Sequence, residues 1–165
     1  MRIRPEQEQD GDVISKVTAQ AFAGVKHSDQ TEPAIVAALR DAKALSLSLV
    51  AEDGDEVIGH IAFSPVNIDG AADGWFGLGP LSVRPDRQGI GVGSALILQG
   101  LDHLRAQGAA GCVLLGDPAY YRRFGFESDS ALLYRGAPPE YFMVISFGGA
   151  VPAGWVEFHH GFGSH

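Results

Sequence analysis

The sequence predicts a three-layer α/β/α sandwich with a mixed, mostly antiparallel sheet. Three strand-like segments follow one another between residues 47 and 83, separated by turn residues; a long amphipathic helix comes next, and a further buried strand follows it. Strands joined by short turns pair antiparallel, whereas a strand–helix–strand step pairs in parallel. Helices that precede and follow the three central strands along the chain are then expected to cover both faces of the sheet.

The first half of the chain supplies a short strand and two helices before the central strands. Asp10 or Asp12 is placed to cap the first helix, because Val13, Val17 and Ala21 follow at helical spacing. The segment 31–33, Thr-Glu-Pro, is a typical helix start. The predicted elements are a strand at 2–4, helices near 13–21 and 31–42, and strands at 47–51, 57–63 and 75–83, with a hairpin turn at 53–55.

The second half begins with the long helix, which follows residue 86 and stops at Gly108. Leu98, Leu101 and Leu104 are predicted to line its buried face. The remaining predicted elements are a strand at 113–115, a short helix at 118–124 and strands at 141–147 and 155–158. The full order is β-α-α-β-β-β-α-β-α-β-β, and without an evident linker we expect one domain over residues 1–165.

Composition and charge restrict the class of partner. The chain has 165 residues, 45% of them hydrophobic, and a net charge of −8, which argues against a nucleic-acid partner and suits a cationic small substrate better. Cys112 is the single cysteine and stands in an apolar run, so we expect a buried thiol and no disulfide. Since the sequence shows no signal segment and no apolar run of membrane-spanning length, we expect no membrane partner and a cytoplasmic location.

The most informative segment runs from Pro80 to Ser94, where a strand turns through Gly89, Gly91 and Gly93 directly into a helix. The first amides of a helix have no intrahelical acceptor, and glycines let an anion approach the backbone closely. The segment therefore predicts a phosphate-binding turn.

The glycine spacing distinguishes between phosphate-binding families. A dinucleotide fingerprint fails, because its third glycine position falls on Ser94 or Leu96, and this argues against an oxidoreductase. The stretch 88–93, Gln-Gly-Ile-Gly-Val-Gly, instead resembles the Q/R-x-x-G-x-G/A signature of the GNAT superfamily of N-acetyltransferases. The later segment 116–126, Gly-Asp-Pro-Ala-Tyr-Tyr-Arg-Arg-Phe-Gly-Phe, resembles a branch of small bacterial GNAT proteins. The resemblance extends over nearly the whole chain and implies the GNAT-type fold, with acetyl-CoA as cosubstrate.

The resemblance also implies which residues contact acetyl-CoA. The strand before the signature would use its backbone to pair with the pantetheine arm and polarise the thioester carbonyl, with Ser82 as the central contact. The residues that this assigns to the cosubstrate are Leu81, Ser82 and Val83 for the thioester end and Gln88, Gly89, Ile90, Gly91, Val92, Gly93 and Ser94 for the pyrophosphate.

Tyr121 occupies the place where many GNAT members carry the tyrosine that protonates the departing thiolate. We therefore expect it to contact the cosubstrate as general acid, acting mainly through a hydrogen bond to sulfur, because a phenol of pKa ~10 is a weaker acid than a thiol of pKa ~8.5. Tyr120 is expected only to pack. Arg122 and Arg123 are either surface charges or contacts of the coenzyme A phosphates.

The general base is left open by the sequence. His27, Glu32, His60 and Asp117 are candidates, and an ordered water relay would serve equally. We predict no metal: the C-terminal histidines include an adjacent pair, His159 and His160, whose side chains would point to opposite faces of a strand, and the family needs no metal. The third C-terminal histidine is His165.

The sequence-based hypothesis is therefore an N-acetyltransferase that moves an acetyl group from acetyl-CoA to a primary amine by direct attack in a ternary complex. The alternative is a non-catalytic module that binds or senses acyl-CoA. The acceptor, a small molecule or a peptide, is expected to be selected by the variable segments 23–31 and 131–155. Pairing of the C-terminal strands would also allow a homodimer.

Overall fold

The computed structural model describes residues 1–163. Within this part of the chain no helix has both the length and the apolar character needed to cross a membrane. The strands are β1 (Arg2–Pro5), β2 (Leu47–Asp53), β3 (Glu56–Pro65), β4 (Asn67–Ile68), β5 (Trp75–Val83), β6 (Gly111–Leu115), β7 (Leu132–Leu133), β8 (Phe142–Ser146) and β9 (Gly154–Glu157), and the helices are α1 (Gly11–Phe22), α2 (Glu32–Asp41), α3 (Val92–Ala106) and α4 (Pro118–Tyr121).

Six strands form the central sheet in the order β1-β2-β3-β5-β6-β8. All neighbours pair antiparallel except β5 and β6, which are joined through α3 and pair in parallel. The predicted fold class and the predicted β-α-β step are confirmed. The strand predicted at 155–158 is not part of this sheet, because β9 pairs with the two-residue strands β4 and β7 in a second, smaller sheet.

The two faces of the central sheet pack against different helices, which gives the three layers. Alternate residues of a strand point to opposite faces. Leu49 on β2 packs in the same cluster as α3 residues such as Leu101, whereas its neighbour Val50 packs with Ile14 of α1 and Val36 of α2. The apolar core therefore consists of one layer on each side of the sheet.

Two helix details differ from the predictions. Asp10 does not cap α1; its carboxylate accepts the amide of Gln7 at 2.6 Å and the guanidinium of Arg4 at 2.7 Å, and Asp12 is exposed. Leu98 is 52% exposed, because α3 turns its Leu96, Ile97, Leu101 and Leu104 side toward the sheet. A left-handed residue precedes α3, so the helix begins at Val92 rather than directly after residue 86.

Candidate active site

A wedge opens in the middle of the sheet between β5 and β6. The two strands pair only over Trp75–Gly77 and Gly111–Val113. Beyond this point β6 keeps its pairing with β8, and β5 continues along β3 to Val83. The β5–β3 register contains one extra β5 residue at Gly79–Pro80, and such a bulge bends its strand. The side of β5 that faces β6 therefore carries backbone groups outside the ladder.

The register decides which β5 residues present those groups to the wedge. The amide of Arg84 donates to the carbonyl of Ile58 at 2.8 Å, which makes His60 and Ser82 the hydrogen-bonded pair of the ladder. The Ser82 amide thus donates to β3 and is not available to the thioester. The expected backbone contact of Ser82 with the thioester must therefore be corrected. Its neighbours Leu81 and Val83 point their N–H and C=O groups toward the wedge.

The glycine turn between β5 and α3 has the conformation of an anion-binding turn. Gly89 and Gly91 have φ values of +79° and +92°, which L side chains rarely adopt. Ala95 donates its amide to the carbonyl of Gly91 at 3.0 Å, as the first closed turn of the helix requires. The amides at 92–94 precede that turn and have no intrahelical acceptor, so they are donors for an external anion.

The side chains around the turn stabilise the protein rather than extend the donor set. Gln88 donates from Nε2 to the carbonyl of Val83 at 3.0 Å, and this closes the loop onto the end of β5. The guanidinium of Arg84 is paired with Asp86, and that of Arg87 is paired with Asp53 at 2.6 Å. Since these arginines are already paired with carboxylates, the backbone amides are the principal anion donors of this turn.

Tyr121 lies at the end of α4, beside the end of β6. Its ring rests on Gly116, where a Cβ would collide with it, and makes edge contacts with Tyr120 and Phe126 at 5.0 and 6.0 Å between ring centroids. Burial, together with nearby Tyr120 and Cys112, raises the pKa of the Tyr121 phenol to about 12. The hydroxyl therefore stays protonated at neutral pH and can act as a hydrogen-bond donor.

Tyr120 reaches the glycine turn, a contact that the sequence did not predict. A Cβ placed on Gly93 would lie 3.1 Å from the Tyr120 hydroxyl oxygen, so the ring packs close to the first turn of α3. Arg122 and Arg123 are exposed, and the Arg123 guanidinium lies 4.9 Å from the centroid of the Tyr120 ring. No sequence signal distinguished Tyr120 from a packing residue, because the contact joins two elements that are distant along the chain.

The four candidate bases occupy different environments and do not come together. His27 is exposed between α1 and α2. Glu32 accepts the hydroxyl of Ser28 at 2.6 Å, and Asp117 caps α4 by accepting the amide of Ala119 at 2.9 Å. His60 is fully buried on β3, directly opposite Ser82 of β5.

The histidines after β9 do not lie on a strand, contrary to the prediction, because β9 ends at Glu157. The rings of His159 and His160 are 4.0 Å apart between centroids, and Nδ1 of His159 accepts the amide of Gly161 at 3.0 Å. His165 lies outside the described residues. Among residues 1–163 no three His, Cys, Asp or Glu side chains are grouped in a way that could hold a metal ion.

Comparison with known proteins places this arrangement in a family. The model of the acetyltransferase (GNAT) family matches residues 15–126, which include the wedge, the glycine turn and Tyr121. The chain belongs to the GNAT family. The uncharacterized N-acetyltransferase YhbS of Escherichia coli K12 is 41% identical over 128 residues, which are 77% of this chain and 74% of that protein. The GNAT chain described here is therefore an acyltransferase.

Two solved GNAT structures resemble the whole chain. One is a GNAT family acetyltransferase from Brucella melitensis in complex with acetyl-CoA, 53% identical with a TM-score of 0.89, covering 98% of this chain and 97% of its own. The other is YhbS from Escherichia coli in complex with CoA, 36% identical with a TM-score of 0.90, covering 99% and 92%. Both carry the same mixed sheet with flanking helices, so the GNAT fold is shown over the full described chain.

Proposed function

We propose that this protein, as one domain over residues 1–165, transfers the acetyl group of acetyl-CoA to a primary amine by direct attack in a ternary complex. The observation that carries the proposal is the wedge between β5 and β6, which opens where β5 leads to the glycine turn 88–94 and where β6 leads to Gly116 and the ring of Tyr121. The Brucella and Escherichia relatives, whose structures contain acetyl-CoA and CoA, support acetyl-CoA as cosubstrate.

The described residues fit such a cosubstrate. The free amides at the start of α3 suit a pyrophosphate, and the glycine conformations leave room for it to approach the backbone. The N–H and C=O groups of Leu81 and the N–H group of Val83 in the wedge suit the amide groups of a pantetheine arm. Acetyl-CoA supplies an activated thioester. The protein therefore has to bind and orient it, accept the proton that the amine loses and provide a proton or hydrogen bond to the departing sulfur.

Tyr121 is proposed to donate a hydrogen bond to the sulfur as the carbon–sulfur bond breaks. A hydrogen bond to a developing charge contributes about 1.5–3 kcal/mol. Because burial raises the pKa of this phenol to about 12, well above that of an ordinary thiol, the proton is shared with the sulfur rather than fully transferred to it.

Direct attack is favoured over a covalent enzyme intermediate by the state of Cys112. This residue is the only cysteine of the sequence, it is fully buried, and burial raises the pKa of its thiol far above the ordinary value. A buried neutral thiol is a poor nucleophile. The amine itself is then the group that attacks the thioester carbonyl.

The acceptor is proposed to be a small-molecule or peptide primary amine, consistent with the net charge of −8. The proposal is tested by incubating the protein with acetyl-CoA and a panel of polyamines, amino acids, aminoglycosides and peptides, with free thiol and product mass as readouts. We expect thiol release that depends on one amine class and a product heavier by one acetyl group. Acetyl-CoA binding without turnover across the panel would instead favour the sensing module.

A further inference from the structure

Tyr120 of α4 connects the two borders of the wedge. A Cβ built on Gly93 would lie 3.1 Å from the Tyr120 hydroxyl oxygen, 3.7 Å from Cγ2 of Val83 and 3.9 Å from Cδ2 of Leu81. The hydroxyl therefore lies where the first turn of α3 meets the end of β5. Because α4 itself follows β6, the Tyr120 side chain extends from the β6 border of the wedge to the β5 border.

The hydroxyl of Tyr120 is available to a ligand. It makes no hydrogen bond within residues 1–163, and it is not one of the buried unpartnered polar atoms of that part of the chain, which are His60 Nδ1, Ser64 Oγ and Ser82 Oγ. A hydroxyl that has no partner and is not buried is open to solvent. The Tyr120 side chain as a whole is half-buried, so the protein holds the ring while the hydroxyl stays accessible.

Aromatic and cationic neighbours hold the Tyr120 ring in this place. The ring makes edge contacts with Tyr121 and Phe124, at 5.0 and 5.4 Å between centroids, and the Arg123 guanidinium lies 4.9 Å from its centroid. Contacts of both kinds are attractive and restrain an aromatic ring. A side chain that is restrained before binding loses little conformational freedom when its hydroxyl forms a hydrogen bond to a ligand.

The groups beside the Tyr120 hydroxyl suit an anion. Gly93 is one of the residues at 92–94 whose amides have no intrahelical acceptor. Within residues 1–163 the Arg123 guanidinium forms no ion pair with a carboxylate, in contrast to Arg84 and Arg87 beside the turn. The hydroxyl thus lies between backbone donors at the start of α3 and a side chain whose positive charge is not neutralised.

We propose that the Tyr120 hydroxyl donates a hydrogen bond to the pyrophosphate of the cosubstrate, alongside the backbone amides of the turn; this rests on the proposed function. A pyrophosphate bound by the amides at 92–94 comes close to Gly93, and the hydroxyl beside Gly93 is then within reach of a phosphate oxygen. Hydrogen bonds to charged acceptors are stronger than those between neutral groups. Tyr120 is therefore a binding residue for acetyl-CoA, whereas its neighbour Tyr121 acts on the sulfur.

This role of Tyr120 also explains the glycine at position 93. Gly89 and Gly91 have left-handed φ values, but Gly93 does not, so its backbone conformation does not require glycine. Its missing side chain instead leaves space for the Tyr120 hydroxyl. A methyl group 3.1 Å from that oxygen would be closer than the optimal separation of nonbonded atoms, about 3.5 Å or more. Gly93→Ala should therefore displace the hydroxyl from the turn without straining the helix.

The first test compares wild type with Tyr120→Phe, which keeps the ring and its contacts but lacks the donor. In titration calorimetry the Kd for CoA should rise about tenfold, and it should rise equally for dephospho-CoA, which keeps the pyrophosphate. In turnover the loss should appear in KM for acetyl-CoA, with kcat at saturation within twofold. For S-acetylpantetheine, which has no phosphate, kcat/KM should be the same in both proteins. Tyr134→Phe is the matched control and should bind CoA like the wild type.

The second test is a double-mutant cycle with Gly93→Ala. This change should weaken CoA binding several-fold in the wild-type background but less than twofold in Tyr120→Phe, where no hydroxyl remains to be displaced. Equal Kd values for CoA in wild type and Tyr120→Phe would overturn the contact. A loss that is absent with dephospho-CoA, or one that persists with S-acetylpantetheine, would also overturn it, because the hydroxyl would then not act on the pyrophosphate. Should the wild type bind no CoA, the proposed function itself fails.

Discussion

Both faces of the central sheet carry an apolar layer, but the face toward α1 and α2 also includes buried polar side chains. Toward α3, strands β2 and β3 present Leu49, Ile61 and Phe63, all fully buried among apolar side chains. Toward α1 and α2, the neighbouring positions include His60 and Ser64, which are equally buried and carry unpartnered polar atoms. Burial is the same on the two faces, but only one of them uses it entirely for stability.

This difference separates two requirements of an acyltransferase. The apolar face fixes α3 and thereby the glycine turn at its start, a task for which close packing suffices. The polar face keeps groups that reduce stability, and natural proteins retain such groups mainly where chemistry needs them. Substitutions on the two faces should therefore affect stability and turnover in opposite proportions.

Adjacent residues of β3 provide the largest expected contrast. Phe63→Ala should lower the free energy of unfolding by about 3–5 kcal/mol, because it empties the space against Gly100, whose missing side chain makes room for the ring. Ser64→Ala removes an unpartnered buried hydroxyl and should change stability by less than about 1 kcal/mol, or increase it. Urea denaturation of both variants measures the contrast, and equal losses would refute the division between the faces.

The polar face should also make stability depend on pH. His60 has a pKa of about 4 in the folded protein against 6.5 in the unfolded chain, so between these values the unfolded state binds more protons. Stability should thus be complete above pH 6.5 and fall by about 3 kcal/mol as the pH decreases to 4. Urea titrations at several pH values measure this.

The matching control is the same titration of His60→Gln, which should lack most of this slope. The carboxylate of Asp10, whose pKa is lowered by the hydrogen bond from Arg4, loses its contribution only below its ordinary pKa of 3.8 and so falls outside the window. A slope of wild-type size in His60→Gln would assign the effect to other groups.

A substitution of Tyr121 shows whether a side chain on the α3 side of the sheet also takes part in catalysis. Tyr121→Phe should decrease kcat about 10- to 100-fold, because the variant loses the donor to the sulfur but keeps the packed ring. KM for acetyl-CoA should change little. Tyr134→Phe is the control, since Tyr134 packs against Phe142 and Phe158 near the second sheet. If both variants retain full kcat, the thiolate departs without help from Tyr121.

The two ends of α3 give the smallest and most selective contrast. Gly91 and Gly108 both have left-handed φ values, +92° and +83°, so each change to alanine should cost about 1–2 kcal/mol of stability. Only Gly91→Ala disturbs the anion-binding turn, and it should weaken acetyl-CoA binding about tenfold in calorimetry. Equal affinities of the two variants would contradict the proposal that this turn binds the pyrophosphate.

The sequence was sufficient for features whose physics is local. The order of the main elements and the glycine turn follow from periodicity and from the need for a positive φ, and both could be read from neighbouring residues. The backbone direction of Ser82 could not, because it depends on the register with β3, and one extra residue at Gly79–Pro80 changes that register. With this register, Ser82 bonds to β3, and the backbone groups of Leu81 and Val83 point toward β6.

The polar residues that surround His60 could also not be predicted from the sequence. His60 could be nominated only by its residue type, since Glu6, Ser48 and Ser82 are up to 76 positions apart along the chain and meet through the pairing of four strands. Likewise, β9 has an ordinary strand pattern, and only its partners β4 and β7 place it in a second sheet.

The wedge also affects the tendency of the protein to aggregate through pairing of strands between copies. Unpaired backbone on a strand is a template for pairing with another chain and for aggregation. Here the exposed stretch of β5 is short, Pro80 has no N–H to offer, and the Val83 carbonyl is already taken by Gln88. An invading strand would find too few partners to form a ladder, whereas a slender ligand with two or three amide groups needs no more.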